Sequence, residues 1–227
     1  MTWYSSGNTN YELVTNLHSN GLITDDRVEK AMLQTDRGDF VLDRKFAYID
    51  APLDIGYSVT ISAPHMHALA LEMLKDKLRP GSKVLDVGSG SGYLTACFAR
   101  MIHGSNGRVI GIEHIRELVD LSIQNIKKNG GHLLNDGTIK IMKGDGRLGY
   151  RRSAPYDVIH VGAASSQRPD ELIRQLKEGG RLIVPVGNES EQNMMQYDKL
   201  ANGTVLTTKH FNVLYVPLTD EQKQLNS

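Results

Sequence analysis

The chain has 227 residues, 40% of them hydrophobic, and its 26 Lys and Arg are balanced by 26 Asp and Glu. This suits one enzyme-sized globular unit rather than a disordered chain, and a net charge of +0 removes any global electrostatic case for a nucleic-acid or anionic-membrane partner. The single cysteine, Cys97, excludes an intramolecular disulfide, no apolar run approaches the roughly 20 residues of a membrane span, and MTWYSSGNTN lacks an apolar signal core, so a reducing cytosolic setting is expected.

Apolar residues at helical spacing predict helices over 11–20 and 25–34. The second turns Val28, Ala31 and Met32 inward, with Asp25 and Asp26 placed to cap it. Pro64 opens a third helix over 65–78, which points Met66, Leu69, Ala70, Met73 and Leu74 toward a core. After Pro80-Gly81 the pattern changes. The β-rich runs KVLDV, RVIGIE, TIKIMK, YDVIHV and RLIVPV alternate with helical stretches over 93–101, 115–129 and 169–177. Strands that are apolar throughout and separated by helices predict a parallel sheet covered on both faces. MMQYDKL and FNVLYVPL lie around Asn202-Gly203 and predict an antiparallel hairpin that closes the sheet. The expected fold is α/β: a doubly wound, mostly parallel sheet with a helical N-terminal cap and a C-terminal antiparallel hairpin. The expected division is a cap over 1–80, carrying the active-site segment, and a ligand-binding α/β domain over 81–227, together forming one compact unit.

In such a sheet, ligands bind beyond the carboxyl ends of the strands, and the first turn contributes backbone rather than side chains. VLDVGSGSG, 84–92, occupies that turn. A dinucleotide fingerprint needs Gly-x-Gly-x-x-Gly, and here Gly88 and Gly90 fit while the third position is Tyr93. The spacing is instead Asp-x-Gly-x-Gly-x-Gly. Asp86 before the turn repels a pyrophosphate and suits a ligand with a positive amino group. No Gly-Lys-Ser/Thr follows, so phosphate cradling is disfavoured.

The motif resembles the signature of class I S-adenosylmethionine methyltransferases, with their Rossmann-like fold, whose donor is a zwitterionic amino acid joined to adenosine through a sulfonium. The resemblance implies that Asp86, Gly88, Ser89, Gly90 and Ser91 surround the donor. Glu113, at the end of the second strand of this sheet, is then placed to accept both ribose hydroxyls. The Gly144-Asp145-Gly146 turn after the third strand falls where such enzymes contact adenine.

The methyl acceptor is indicated upstream. Enzymes that methylate amino groups of bases commonly carry Asn/Asp-Pro-Pro-aromatic after the fourth strand, where this chain has HVGAAS. Cytosine-type chemistry needs a thiolate, but Cys97 sits in TACFAR with no basic neighbour before Arg100 and reads as a small buried hydrophobe. IGYSVTISAPHMHALALEML, with VLDVGSGSG, YDVIHVGAA, GGRLIVPVG and YVPLT, closely resembles the protein-L-isoaspartate O-methyltransferase family in its animal form, over nearly the whole chain. That resemblance implies a protein-repair enzyme acting on the free α-carboxylate of L-isoaspartyl residues, less efficiently on D-aspartyl side chains, with the methyl ester re-forming succinimide. Its partners would be isoaspartyl proteins and peptides in extended conformation, with no nucleic acid or membrane, and the protein a cytosolic monomer.

A carboxylate is ionised at pH 7, so its methylation needs orientation and desolvation rather than a strong base. The family match makes Ser62 the active-site serine, placed to hold one carboxylate oxygen, with Thr60 the competing candidate. It also implies that Val59, Thr60, Ile61, Ser62 and His67 line the donor cleft, that His114 and Arg147 join Asp145 and Gly146 around it, and that Thr219 and Gln224 approach from the C-terminal segment. Tyr215-Val216-Pro217 is expected to guide the substrate main chain. His65 and His67, two positions apart on a helix, point to nearly opposite faces and are not expected to share a metal. The competing functions are methylation of another carboxylate or an amine, or non-catalytic binding of S-adenosylmethionine. A nicotinamide dehydrogenase is opposed by Tyr93.

Overall fold

Residues 5–188 and 190–225 are described in a computed structural model. Helix α1 (Asn10–Ser19) starts at Thr9, whose hydroxyl accepts the Glu12 N–H at 3.1 Å. Helix α2 (Asp26–Leu33) starts at Asp25, whose carboxylate accepts the Arg27 N–H at 2.9 Å. A two-stranded antiparallel ribbon, β1 (Leu53–Gly56) and β2 (Val59–Ile61), then leads into helix α3 (Pro64–Leu74). The ribbon was not expected from the sequence, because its strands are too short to show a period. Its turn places Tyr57 and Ser58 at φ 58° and 54°, a left-handed pair that supplies the twist a tight hairpin needs.

The rest of the chain builds a seven-stranded sheet: β3 (Lys83–Val87), β4 (Arg108–Glu113), β5 (Ile139–Lys143), β6 (Tyr156–Val161), β7 (Leu176–Gly187), β8 (Gln192–Lys199) and β9 (Val205–Val213). The spatial order is β5-β4-β3-β6-β7-β8-β9, with parallel pairing through β7 and antiparallel pairing for the last two contacts. The order reverses between β3 and β6, which is where a doubly wound sheet opens a crevice. Helices α4 (Tyr93–Ile102), α5 (Arg116–Asn135) and α6 (Asp170–Arg174) connect the parallel strands.

Alternation along the strands divides the core. Val84, Val109, Val158 and Ile183 join one cluster with α4 and with the cap residues Leu13, Leu17, Val28, Met32 and Leu71. Leu85, Ile110, Ile159 and Leu182 face the opposite layer with Leu172, Ile173 and Tyr197. One apolar cluster therefore runs from the first helix into the sheet, so the cap buries its inner face on the α/β layer.

The structure corrects several predicted boundaries. The third helix stops at Leu74 rather than 78, passing into a turn in which the Leu78 N–H still bonds the Leu74 carbonyl at 3.1 Å. The helix expected over 169–177 shrinks to Asp170–Arg174 because Leu176 already pairs with Tyr156 in the sheet. The helix expected over 115–129 continues to Asn135, through non-helical angles at Gly130 (φ −132°). The closing hairpin pairs Gln192–Lys199 with Val205–Val213, so the second expected run, 211–218, is mostly not strand.

Candidate active site

The glycine turn after β3 is shaped by its backbone. Gly88, Gly90 and Gly92 have φ of 71°, 50° and 86°, a region in which side chains are strained. At Gly92 space is also decisive. A Cβ there would lie 3.0 Å from Ser122 Cβ and 3.1 Å from Ile126 Cδ1, so this glycine lets α5 close on the start of α4. Tyr93, in place of a third dinucleotide glycine, is buried against the cap, with its ring 4.7 Å from that of His67 and 5.4 Å from that of Phe40.

This turn forms one wall of a cleft at the carboxyl ends of the parallel strands. Gly88, Ser89, Gly90 and Ser91 line it together with Asp86, Glu113, His114 and Gly146. Glu113 is buried at the end of β4. Its Oε2 accepts the Gly90 N–H at 3.1 Å, and its Oε1 accepts the N–H groups of His114 at 2.7 Å and Ile115 at 3.1 Å. A carboxylate offers about four lone-pair positions, so acceptor capacity remains for a ligand hydroxyl. Asp86 is committed differently: Oδ2 accepts from Thr95 Oγ1, and Oδ1 faces His160 Nδ1 at 2.8 Å. The sequence had pointed to Asp86 but not to His160, which lines the same cleft from β6.

The opposite wall comes from the cap and the C-terminal segment. Val59, Thr60, Ile61, Ser62 and His67 all face the cleft. Helix α3 begins after Ala63, and no side chain caps it, so the Ser62 hydroxyl is not used as a cap. Tyr215 lies beside it. Burial pushes the Tyr215 phenol up to about 12, while a hydrogen bond with Ser62 opposes the shift. Gln192 holds this tyrosine's main chain, its Oε1 accepting the Tyr215 N–H at 2.7 Å and its Nε2 donating to the Tyr215 carbonyl at 3.0 Å. Farther on, the Ala164 N–H bonds the Val216 carbonyl and the Leu218 N–H bonds the Ala164 carbonyl, each at 2.8 Å. Residues 215–218 thus run as a strap along the cleft wall, tied to Ala164 and Gln192. Thr219 lines it next, and Gln224, on helix α7 (Glu221–Leu225), donates through Nε2 to the Tyr57 and Ser58 carbonyls at 3.1 Å each.

Two expected residues are not brought into the cleft wall. Asp145 and Arg147 pair with each other at 2.7 Å on the surface beside Gly146, and Asp145 also accepts the Arg147 N–H, which starts a short 3₁₀ turn. Arg147 holds the Asp145 carboxyl below its ordinary range. The histidines separate as their spacing requires: His65 Nδ1 lies 2.8 Å from Asp50 Oδ1, while His67 is buried at the cleft. Among the described residues no group of three or more His, Cys, Asp or Glu is placed to hold a metal ion.

The fit of the donor is tested by Glu113, which keeps acceptor capacity at the cleft, and by Ser89 in the glycine turn beside it. The Ser89 main chain lines the cleft, while its hydroxyl is turned against Gly111 of β4 without a hydrogen-bond partner among the described residues, so the turn offers a ligand its backbone rather than this side chain. With the partly used Glu113 carboxylate and the backbone turn, this donor set fits a ribose-bearing ligand. It offers no lysine or arginine to a pyrophosphate among the residues that line the cleft.

A family model described as "Protein-L-isoaspartate(D-aspartate) O-methyltransferase (PCMT)" matches residues 8–223. Protein-L-isoaspartate O-methyltransferase 1 of Arabidopsis thaliana is 53% identical over 222 residues, covering 97% of this chain and 96% of the relative. Protein-L-isoaspartate O-methyltransferase of Caenorhabditis elegans is 50% identical over 227 residues, covering 100% and 99%. Among solved structures, a putative protein-L-isoaspartate O-methyltransferase from Plasmodium falciparum, in complex with S-adenosyl-L-homocysteine, superposes with a TM-score of 0.87 at 39% identity, covering 95% of this chain and 100% of that one.

Proposed function

Because the chain belongs to the protein-L-isoaspartate (D-aspartate) O-methyltransferase family, we propose that it methylates the free α-carboxylate of L-isoaspartyl residues, and less well the D-aspartyl side chain. The ester then returns to aspartyl through succinimide. The observation that carries this reading is the pairing of two walls: a glycine turn with Glu113 on one side, and Ser62 with the strap on the other.

S-adenosylmethionine, when bound, supplies an electrophilic sulfonium methyl. Glu113 and the backbone at 88–91, Ser89 included, bind its nucleoside part, while Val59, Thr60, Ile61, Ser62 and His67 border it from the cap. His114 and Gly146 would meet the base, with Asp145 and Arg147 at the rim, and Thr219 and Gln224 would close the cleft from the C-terminal side. Ser62 orients the acceptor carboxylate through its hydroxyl, with Tyr215 beside it in the cleft wall. No group needs to remove a proton, since the acceptor is already an anion at neutral pH. The remaining contributions are alignment and exclusion of water by the strap. A substrate chain lying extended along 215–217 would be recognised mainly by its main chain, which allows many sequences.

The cap over 1–80 and the layer over 81–227 work as one unit in this reading, as their shared apolar cluster supports. We also place the protein in the cytosol as a monomer that binds neither nucleic acid nor membrane. No helix among the described residues is long and apolar enough to cross a membrane, and the charge is balanced.

The test is methyl transfer from labelled donor to an isoaspartyl peptide, with the aspartyl peptide of the same sequence as control. Base-labile label on the first alone is expected. Equal labelling of both, or transfer only to amines, would overturn the proposal.

A further inference from the structure

Arg37 is completely buried beneath the cleft, and no carboxylate bonds it directly among the described residues. Its Nη1 lies 3.4 Å from His67 Nδ1, its Nη2 donates to the Ala51 carbonyl at 3.3 Å, and its Nε has no partner among the described residues. The guanidinium also lies 5.9 Å from the centre of the Tyr93 ring, against which the His67 ring lies tilted with centroids 4.7 Å apart. A buried cation held by two long hydrogen bonds is an expensive filler, and an unbranched aliphatic side chain would pack the same space without desolvating a charge. The arrangement therefore calls for a role that needs the cation.

Arginine only donates, so His67 Nδ1 must accept. An imidazole whose Nδ1 lone pair is engaged carries its proton on Nε2, and it cannot take a second proton without breaking that bond. Nε2 has no protein partner among the described residues and is not sealed from the cleft that His67 lines.

We propose that Arg37 is a positioning residue for the methyl donor: it fixes His67 as the neutral Nε2–H tautomer, tilted 31° against the Tyr93 ring, so that Nε2–H is a permanent hydrogen-bond donor into the cleft. The surroundings act in the same sense. Burial is the largest influence holding His67 well below the usual histidine range, with Arg37, His160 on β6 and His65 on its own helix adding to it. Of the other charged groups, Asp86 faces His160, and the buried Asp50, whose Oδ1 meets His65 Nδ1 while its Oδ2 has no partner among the described residues, favours the charged form of Arg37 without bonding it. Burial lowers Arg37 itself only to about 10, so it remains a cation wherever the enzyme works. A histidine left to itself would begin to protonate near pH 6.5 and would then place a positive charge beside a sulfonium.

The proposal rests on the donor site described above, and its test has an arm independent of that reading. Long-range ¹H–¹⁵N spectra of the full-length ¹⁵N-labelled protein, recorded from pH 5.5 to 8.5 with and without S-adenosylhomocysteine, report the two ring nitrogens of each histidine. The expected His67 signature is an unprotonated Nδ1 and a protonated Nε2 throughout. In Arg37→Met the ring should lose this fixed tautomer. KM for the donor should rise about five- to tenfold and rise further below pH 6.5, with the larger part of the effect on KM rather than kcat; Arg37→Lys should recover part of it. A wild-type His67 carrying its proton on Nδ1, or titrating as imidazolium in this range, would overturn the proposal even if Arg37→Met failed to fold. A folded Arg37→Met with unchanged donor KM would overturn it as well. Failure of wild-type enzyme to methylate isoaspartyl peptide would instead count against the function and leave the ring assignment standing.

Discussion

Replacing Glu113 by alanine should cause two separable losses. The carboxylate accepts three main-chain N–H groups, from Gly90, His114 and Ile115, and in the proposed complex its remaining capacity takes ribose hydroxyl. One charge-assisted hydrogen bond contributes about 1.5–3 kcal/mol, so donor affinity should fall roughly tenfold to 150-fold. The main-chain donors are left without their acceptor, and water entering from the cleft replaces only part of it, for a stability loss of about 1–3 kcal/mol. Glu113→Gln separates the two effects. Its single carbonyl oxygen can still serve one side of the turn, so stability should fall less while donor binding falls comparably. Calorimetric titration with S-adenosylhomocysteine, thermal melting and two-substrate kinetics read these quantities independently, and peptide KM should scarcely move. A lowered melting temperature with unchanged donor affinity would show that Glu113 only holds its loop.

Ser62→Ala should fold, bind donor within about twofold of wild type and lose about five- to a hundredfold in kcat, as expected for an orienting hydroxyl. Wild-type kcat would move that role to Thr60, and a methylated serine trapped in the native enzyme would contradict it. Glu171 is held down to about 2 by Arg151 and Arg174, against an ordinary value of 4.5. A depressed folded-state carboxyl adds stability that is fully present above its unfolded value and disappears as pH falls toward the folded one. Glu171→Gln should therefore lower the melting temperature at pH 7 more than at pH 2.5, and an equal change at both would refute the ion-pair account. Burial pushes the Cys97 thiol up to about 11, so at pH 8 a disulfide reagent should react with it only as fast as the protein unfolds. Rapid reaction in the native state would contradict this.

What the sequence determined by itself is what neighbouring residues enforce on one another. The strands at 108–113 and 156–161 have the ends their apolar runs imply, and Asp25 caps its helix as a short polar side chain before an apolar period should. The glycine turn was legible for the same reason, because positive φ is a local requirement. The serine before Pro64 and the acid ending the second strand of the sheet were likewise visible as types at positions, and the fold brings both to the cleft.

Only the tertiary structure decided the rest. LYVPL reads as a strand by its apolar content, but Pro217 has no N–H to give a ladder, and the segment bonds Ala164 and the Gln192 side chain instead. Arg37 carries no signal of its own in the sequence, and its burial depends on His67 of α3 and Tyr93 of α4 meeting over it, while Tyr93 reads merely as a missing glycine until His67 is found against its ring. Gln224 meets the Tyr57 carbonyl across 167 residues of sequence. Periodicity and propensity act over a few residues, whereas a hydrogen bond between distant segments contributes only after the burial of the sheet and its helices has offset the entropy of bringing the two together.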